Sequence, residues 1–198
     1  MHNGGVAHFG QIKKYLVREI SDEALDLVKG TTDSEHLAAL FFTYLEEDKG
    51  PKAWENTHTL SEVKLALERA ITKVLDIQQE VLAPAKADAS SLNIAITDGT
   101  QLLTIRFRNH PTEHPPSLYM STTAGVSLNR KYPGHPDMAG SDNGIQNLKA
   151  VHEHGDHVIV ASEPSTYDND AWELIRKNEC IMVGTDMAVK REVVNVVY

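Results

Sequence analysis

Cysteine is almost absent from this sequence, and so are long apolar runs. The one cysteine among the 198 residues, Cys180, excludes an intramolecular disulfide. No apolar stretch approaches the about 20 residues that a membrane-spanning helix needs, so we expect no membrane segment. Both absences favour a reducing, aqueous compartment, and the sequence therefore predicts a cytoplasmic protein.

Positive charge is also scarce, because 19 Lys and Arg residues face 28 Asp and Glu residues, for a net charge of -9. Such a surface does not attract phosphate backbones or anionic lipid, so we expect neither nucleic acid nor membrane as a partner. The length and the 41% hydrophobic content predict one globular domain spanning residues 1–198. Small molecules and protein partners remain as ligands.

The first half of the chain has helical periodicity with two start signals. Thr32 followed by Glu35, and Thr59 followed by Glu62, have the spacing of a capping box, in which each side chain satisfies a free backbone N–H of the other residue. The second box begins a helix predicted over about 60–82, which Pro84 ends.

The second half of the chain has the pattern of strands. Asp98-Gly99 separates two alternating apolar runs and predicts a hairpin. Arg106 and Arg108 alternate on its second strand, and we expect them to face solvent or to pair with acidic groups. Further strands are predicted at SLYMST, HVIVAS, CIMVG and VVNVVY. Helices followed by antiparallel strands predict an α+β layered domain.

The opening residues MHNGG have neither helical periodicity nor strand alternation. Asn3 supplies an amide donor, while Gly4 and Gly5 let backbone N–H groups approach a ligand closely. Such donors suit the oxyanion of acyl transfer. Asp33, in the first turn after Thr32, can accept from a substrate ammonium. The alternative interpretation is a tight turn and an ordinary helix cap.

Five segments carry a family resemblance when taken in order: MHNGGVAHFGQIKKYL, TDSEHLAALFFTYL, NIAITDGTQLLTIRFRN, STTAG and VIVASEPST. They resemble the later part of the class II glutamine amidotransferases, and above all the fungal subunit that hydrolyses the γ-glutamyl bond of glutathione. The resemblance implies an α+β fold, the four-layer αββα sandwich of N-terminal-nucleophile hydrolases. It also implies that Asn3 and Gly4 form an oxyanion hole and that Asp33 binds the α-amino group of the substrate.

The activity implied by this resemblance is hydrolysis of γ-glutamyl amide bonds. The products would be glutamate and cysteinylglycine from glutathione, or glutamate and ammonia from glutamine. The resemblance implies no cofactor and no metal for this step. It does imply a metallopeptidase-like partner subunit.

The sequence departs from the family at the nucleophile. The family uses a cysteine at the mature N-terminus and an upstream arginine for the substrate carboxylate, and neither is present here. Cys180 lies on a predicted strand and is expected to be a small buried hydrophobe. We therefore expect an N-terminally truncated chain that lacks the first strands of the fold and is inactive alone. The alternative is a non-catalytic binding or regulatory subunit.

A second motif, HEHGDH, points to different chemistry. His152, His154, Asp156 and His157 match the H-x-H-x-D-H pattern of metallo-β-lactamase-like hydrolases, which bind zinc and activate water. That family also needs a later histidine, but no histidine follows His157, and a strand-like run comes directly after the motif. We therefore prefer a solvated histidine-rich loop to a metal site.

Overall fold

The computed structural model describes residues 1–83, 88–124, 156–166 and 169–196. The helices are α1 Phe9–Leu16, α2 Asp22–Leu25, α3 Asp33–Lys49 and α4 Leu60–Val81, with 3-10 turns at Val17–Glu19, Ala53–Glu55 and Asn169–Ala171. The strands are β1 His2–Gly5, β2 Ser91–Thr97, β3 Leu102–Arg108, β4 Tyr119–Ser121, β5 Ile159–Ala161, β6 Glu173–Leu174, β7 Glu179–Val183 and β8 Val189–Val193.

Both predicted capping boxes are confirmed at the starts of α3 and α4. The Thr32 hydroxyl accepts from the Glu35 N–H, and the Glu35 carboxylate accepts from the Thr32 N–H, each at 3.3 Å. Thr59 and Glu62 repeat the pattern, with the Thr59 N–H 2.7 Å from Glu62 Oε2. These reciprocal bonds satisfy backbone donors that a helix start leaves without intrahelical partners.

The larger sheet has five antiparallel strands in the order β1-β2-β3-β7-β8. The predicted hairpin is confirmed, since β2 and β3 pair from Ser91 opposite Arg108 to Thr97 opposite Leu102. Asp98 closes the turn by accepting from the backbone N–H groups of Thr100 and Gln101, both at 2.8 Å. The strand β1 lies at one edge of this sheet.

The described residues form three layers. Helices α1, α3 and α4 share a core with the face of the large sheet that carries Leu92, Ile94, Leu103, Ile105 and Phe107. On the opposite face, Ile181 and Val183 pack against Leu118, Met120 and Ile175. Leu118 directly precedes β4, which is the central strand of a second sheet in the order β5-β4-β6. The α+β class is confirmed, while the fourth layer of the predicted sandwich stays a prediction.

The tight-turn alternative for HNGG and one predicted strand are wrong. HNGG is an edge strand rather than a turn, because Met1 and Ala95 exchange backbone hydrogen bonds of 2.7 and 2.9 Å and hold the segment along β2. The last strand among the described residues is Val189–Val193, which shares only Val193 with the predicted VVNVVY; positions 197 and 198 of that segment lie outside the described residues. A turn closed by the Gly184 N–H and the Ala188 carbonyl at 3.1 Å sets this register.

The expectation for Arg106 is also wrong, whereas that for Arg108 is confirmed. Arg106 is only 5% exposed, on the side of β3 that faces the second sheet. Its guanidinium donates to the carbonyls of Pro116, Pro115 and Ile175 at 2.8, 2.8 and 2.9 Å. Arg108 forms an ion pair with Glu113. In the part of the chain that the structure describes, no helix is long and apolar enough to cross a membrane.

Candidate active site

Gly4 holds a backbone conformation that requires glycine. Its φ is +132°, a value that residues with a side chain rarely adopt. A Cβ at this position would lie 2.0 Å from the carbonyl oxygen of Ser91 on β2. The glycine therefore lets the two strands approach each other closely where HNGG pairs with β2.

The pairing of β1 with β2 determines where its amide groups point. In an antiparallel pair, residues alternate between exchanging hydrogen bonds with the neighbour and directing these groups away from it. Met1 and Ala95 form a bonded pair, so Asn3 and Gly5 continue the bonded set in this register. By this alternation we expect the Gly4 N–H to point to the outer edge of the sheet, as an oxyanion donor requires, and the Gly5 N–H to point to β2.

The side chain of Asn3 is directed towards the second sheet. Asn3 is exposed, and its Nδ2 donates to the hydroxyl of Ser162 at 3.5 Å. Ser162 directly follows β5. A long contact of this kind is easily exchanged for a better acceptor, so the amide can be released to a ligand.

The carboxylate of Asp33, the first residue of α3, lies beside the end of β1, where the chain turns towards α1. Its Oδ2 accepts from the Val6 N–H at 2.8 Å, and its Oδ1 accepts from the Ser34 N–H at 2.8 Å. The same Oδ2 would lie 3.6 Å from a Cβ on Gly5. The carboxylate of Asp33 and the HNGG strand, 27 positions apart at the Val6 contact, are therefore adjacent in the fold.

His2 connects the same two elements. Its Nδ1 lies 2.7 Å from the hydroxyl of Ser34, the residue after Asp33. Burial lowers the pKa of His2 from its usual value, and the negative charge of Asp33 only partly offsets this, so the surroundings favour the neutral imidazole. The segment 2–6 and the start of α3 are thus joined by two contacts, one at Asp33 and one at Ser34.

Cys180 is fully buried in β7, as predicted. Burial raises the pKa of its thiol to about 12. Because the thiolate is the nucleophilic form, this side chain is unreactive at neutral pH.

The HEHGDH motif is divided between described and undescribed positions. His152 and His154 lie outside the described residues, while Asp156 is exposed and His157 is half-buried. Among the side chains that the structure does describe, no group of three or more His, Cys, Asp or Glu is placed to hold a metal ion. The zinc-hydrolase alternative stays an untested hypothesis.

Comparison with solved structures defines the class of the fold. The chain matches a glutamine aminotransferase class-II domain protein from Silicibacter pomeroyi with a TM-score of 0.61 and 22% identity. The match covers 98% of this chain and 66% of that protein, and at this identity it shows a shared fold.

The chain is also similar in sequence to a curated protein. The chain is 28% identical over 200 residues to the probable glutamine amidotransferase DUG3 of Saccharomyces cerevisiae. The aligned region includes 100% of this chain and 53% of the relative, so the chain spans about half the length of that protein. No protein-family model matches the chain. The resemblance is thus confirmed as homology to a glutamine amidotransferase, while the glutathione-degrading activity stays a prediction.

The sequence alone assigns no role to three residues of the candidate site. His2 stands within the HNGG motif, Ser34 within TDSE, and Ser162 within VIVASEPST, so each was quoted as part of a motif. Their contacts with Asn3 and with the start of α3 depend on residues 32 to 159 positions away along the chain. No local pattern predicts such contacts.

Proposed function

We propose that residues 1–198 form the γ-glutamyl recognition part of a glutamine amidotransferase-type hydrolase. In this proposal the substrate is a γ-glutamyl amide such as glutamine or glutathione. The single observation that carries it is the contact of Asp33 with the Val6 N–H, because this contact puts a carboxylate beside the strand that holds Asn3 and Gly4.

The proposed chemistry assigns one task to each group. Asn3 Nδ2 and the Gly4 N–H donate to the oxygen of the γ-carbonyl as it becomes an oxyanion, and the loss of one such donor costs about 100- to 1000-fold in rate. Asp33 accepts from the α-ammonium of the same molecule. Each of its two oxygens accepts one backbone N–H, and a carboxylate has about four lone-pair sites, so acceptor capacity remains for this ammonium.

In this proposal, residues 1–198 alone bind the substrate without cleaving it. Oxyanion donors stabilise an intermediate that a nucleophile must first create. The resemblance assigns that role to an N-terminal cysteine thiolate, whereas the one cysteine in these residues is the buried Cys180. Cleavage of glutathione, with release of glutamate and cysteinylglycine, then requires a thiol supplied from outside these residues.

A calorimetric titration of the 198-residue chain with glutamate tests the proposal. Glutamate carries the α-ammonium that Asp33 would bind. We expect Asp33→Asn to weaken binding about 10- to 100-fold, because a hydrogen bond between charged groups is lost. The asparagine can still accept from the Val6 N–H. The control, Asp26→Asn, makes the same change at an exposed position on the end of α2 and should bind like the unmodified chain.

Two results would contradict the proposal. If the unmodified chain does not bind glutamate, the recognition role is wrong. If Asp33→Asn binds as tightly as Asp26→Asn, the assignment of Asp33 is wrong. Release of ammonia from glutamine, or of glutamate from glutathione, by residues 1–198 alone would contradict the inactivity but not the substrate class.

A further inference from the structure

We propose that His2 is a positioning residue, which orients the Asp33 carboxylate for the substrate ammonium through the hydroxyl of Ser34. This inference rests on the proposed function and deepens it, because it concerns the same γ-glutamyl site. It assigns to the first residue of the HNGG motif a task separate from the oxyanion donors Asn3 and Gly4.

A continuous set of contacts runs from the imidazole to the carboxylate. His2 Nδ1 lies 2.7 Å from Ser34 Oγ, and that oxygen lies 3.5 Å from Asp33 Oδ1. The Ser34 N–H donates to the same Oδ1 at 2.8 Å. The N–H and the hydroxyl of Ser34 therefore both contact Oδ1 of Asp33, while the imidazole of His2 contacts the Ser34 hydroxyl.

The directions of these hydrogen bonds follow from the chemistry of each group. An ionised carboxylate only accepts, and in this proposal the hydrogen of the Ser34 hydroxyl is directed to Asp33 Oδ1 at 3.5 Å. With this assignment Ser34 Oγ accepts the hydrogen bond at 2.7 Å, and His2 Nδ1 is the donor. Nε2 of the neutral ring keeps its lone pair. This nitrogen is buried and has no hydrogen-bond partner among the described residues, so nothing there favours the opposite tautomer.

The carboxylate is held from its second oxygen as well. Asp33 Oδ2 accepts from the Val6 N–H at 2.8 Å, on the segment that continues from β1. A side chain fixed at both oxygens has lost its rotational freedom before the ligand arrives. Binding then does not have to order it, which is the general advantage of preorganised sites.

The charge state of His2 should affect ligand binding, because the imidazole is close to Asp33. The two charged groups that act on the imidazole are Asp33 on α3 and the N-terminal ammonium of Met1. A protonated His2 would put a second cation beside Asp33 and compete with the α-ammonium of the ligand. Affinity for glutamate should therefore fall as the pH drops below 6.5, the usual imidazole value, because the pKa of His2 is lowered from there by burial.

Substitution of His2 in the 198-residue chain tests the inference, with L-glutamate as the probe. We expect His2→Leu to weaken binding about three- to tenfold, the effect of one hydrogen bond. His2→Asn puts an amide nitrogen near the position of Nδ1, and should restore affinity to within about twofold while abolishing the decline between pH 7 and pH 5. His114→Gln, which changes an exposed histidine, should keep both the affinity and the pH profile.

Two further measurements keep the test decisive. Ser34→Ala breaks the same link from the other side and should match His2→Leu, so it serves if His2→Leu does not fold. The ¹⁵N shifts of the imidazole should report the Nδ1–H tautomer without any ligand. An Nε2–H tautomer, or equal glutamate binding by His2→Leu and the unmodified chain, would overturn the inference. Absence of glutamate binding by the unmodified chain would instead contradict the proposed function.

Discussion

At the scale of single residues, two positions of the candidate site, Asp33 and Gly4, also have structural tasks. Asp33 closes the turn after β1 through the Val6 N–H. Gly4 lets β1 approach β2, because a Cβ there would meet the Ser91 carbonyl. A variant at either position must therefore be tested for folding as well as for binding. Asp33→Asn keeps an acceptor for the Val6 N–H but places its amide nitrogen at the Ser34 N–H, so its stability is measured beside its affinity.

We expect Gly4→Ala to lower the free energy of unfolding by at least about 2 kcal/mol. The φ of +132° strains any residue with a Cβ, and the backbone contact at 2.0 Å cannot relax through a side chain. Chemical denaturation measures the loss. Gly10→Ala is the matched control in α1, where a Cβ would meet nothing within 4 Å, and it should stabilise the protein by about 0.5–1 kcal/mol. A Gly4→Ala variant as stable as the unmodified chain would show that β1 is not held against β2.

At the scale of secondary-structure elements, the helix starts are determined by local chemistry. The Glu62 carboxylate accepts from the Lys49 ammonium at 2.9 Å and from the Thr59 N–H at 2.7 Å, and these bonds lower its pKa to about 2. Because the pKa in the folded state is below the usual value of 4.5, the stabilisation is complete above pH 4.5 and is lost as the pH falls towards 2.

Removing one cap tests how much the local signal contributes to α4. Thr59→Ala should lower the free energy of unfolding by about 1 kcal/mol, because the Glu62 N–H loses its acceptor. Thr72→Ala makes the same chemical change within α4 and should be neutral or stabilising by a few tenths of a kcal/mol, since alanine has the higher helix propensity. Thermal unfolding followed by circular dichroism compares the two. Equal effects would mean that packing alone determines where α4 begins.

At the scale of the whole molecule, Arg106 attaches the second sheet to the first. Its three hydrogen bonds reach Pro115 and Pro116, before β4, and Ile175, directly after β6. Burial without a carboxylate partner among the groups described lowers the pKa of Arg106. The planar guanidinium has donors in several directions at once, which a lysine ammonium cannot reproduce in this geometry.

We expect Arg106→Lys to lower the free energy of unfolding by about 2–4 kcal/mol, because at least one carbonyl loses its charged donor. Arg108→Lys, two residues along the same strand, changes a partly exposed ion pair with Glu113 and should cost less than about 1 kcal/mol. Urea denaturation of both variants makes the comparison. Similar losses would mean that Arg106 does not connect the sheets.

Some of the fold and site could be predicted from the residues alone. The capping boxes at Thr32 and Thr59 and the hairpin at Asp98 use partners only two or three positions away, so the sequence contains the whole interaction. The burial of Arg106 could not be predicted, because its alternation with Arg108 is the same whether that face meets water or a second sheet.

What the sequence by itself determined is therefore the local structure: helix starts, the hairpin turn, the α+β order and the motifs that carry the resemblance. Only the tertiary structure decided that HNGG is an edge strand paired with β2, and that Asp33 lies beside it. The physical reason is range. HNGG has no strand alternation, and backbone pairing with residues about 90 positions away makes it a strand. Such pairing produces no periodic sequence pattern in a four-residue strand.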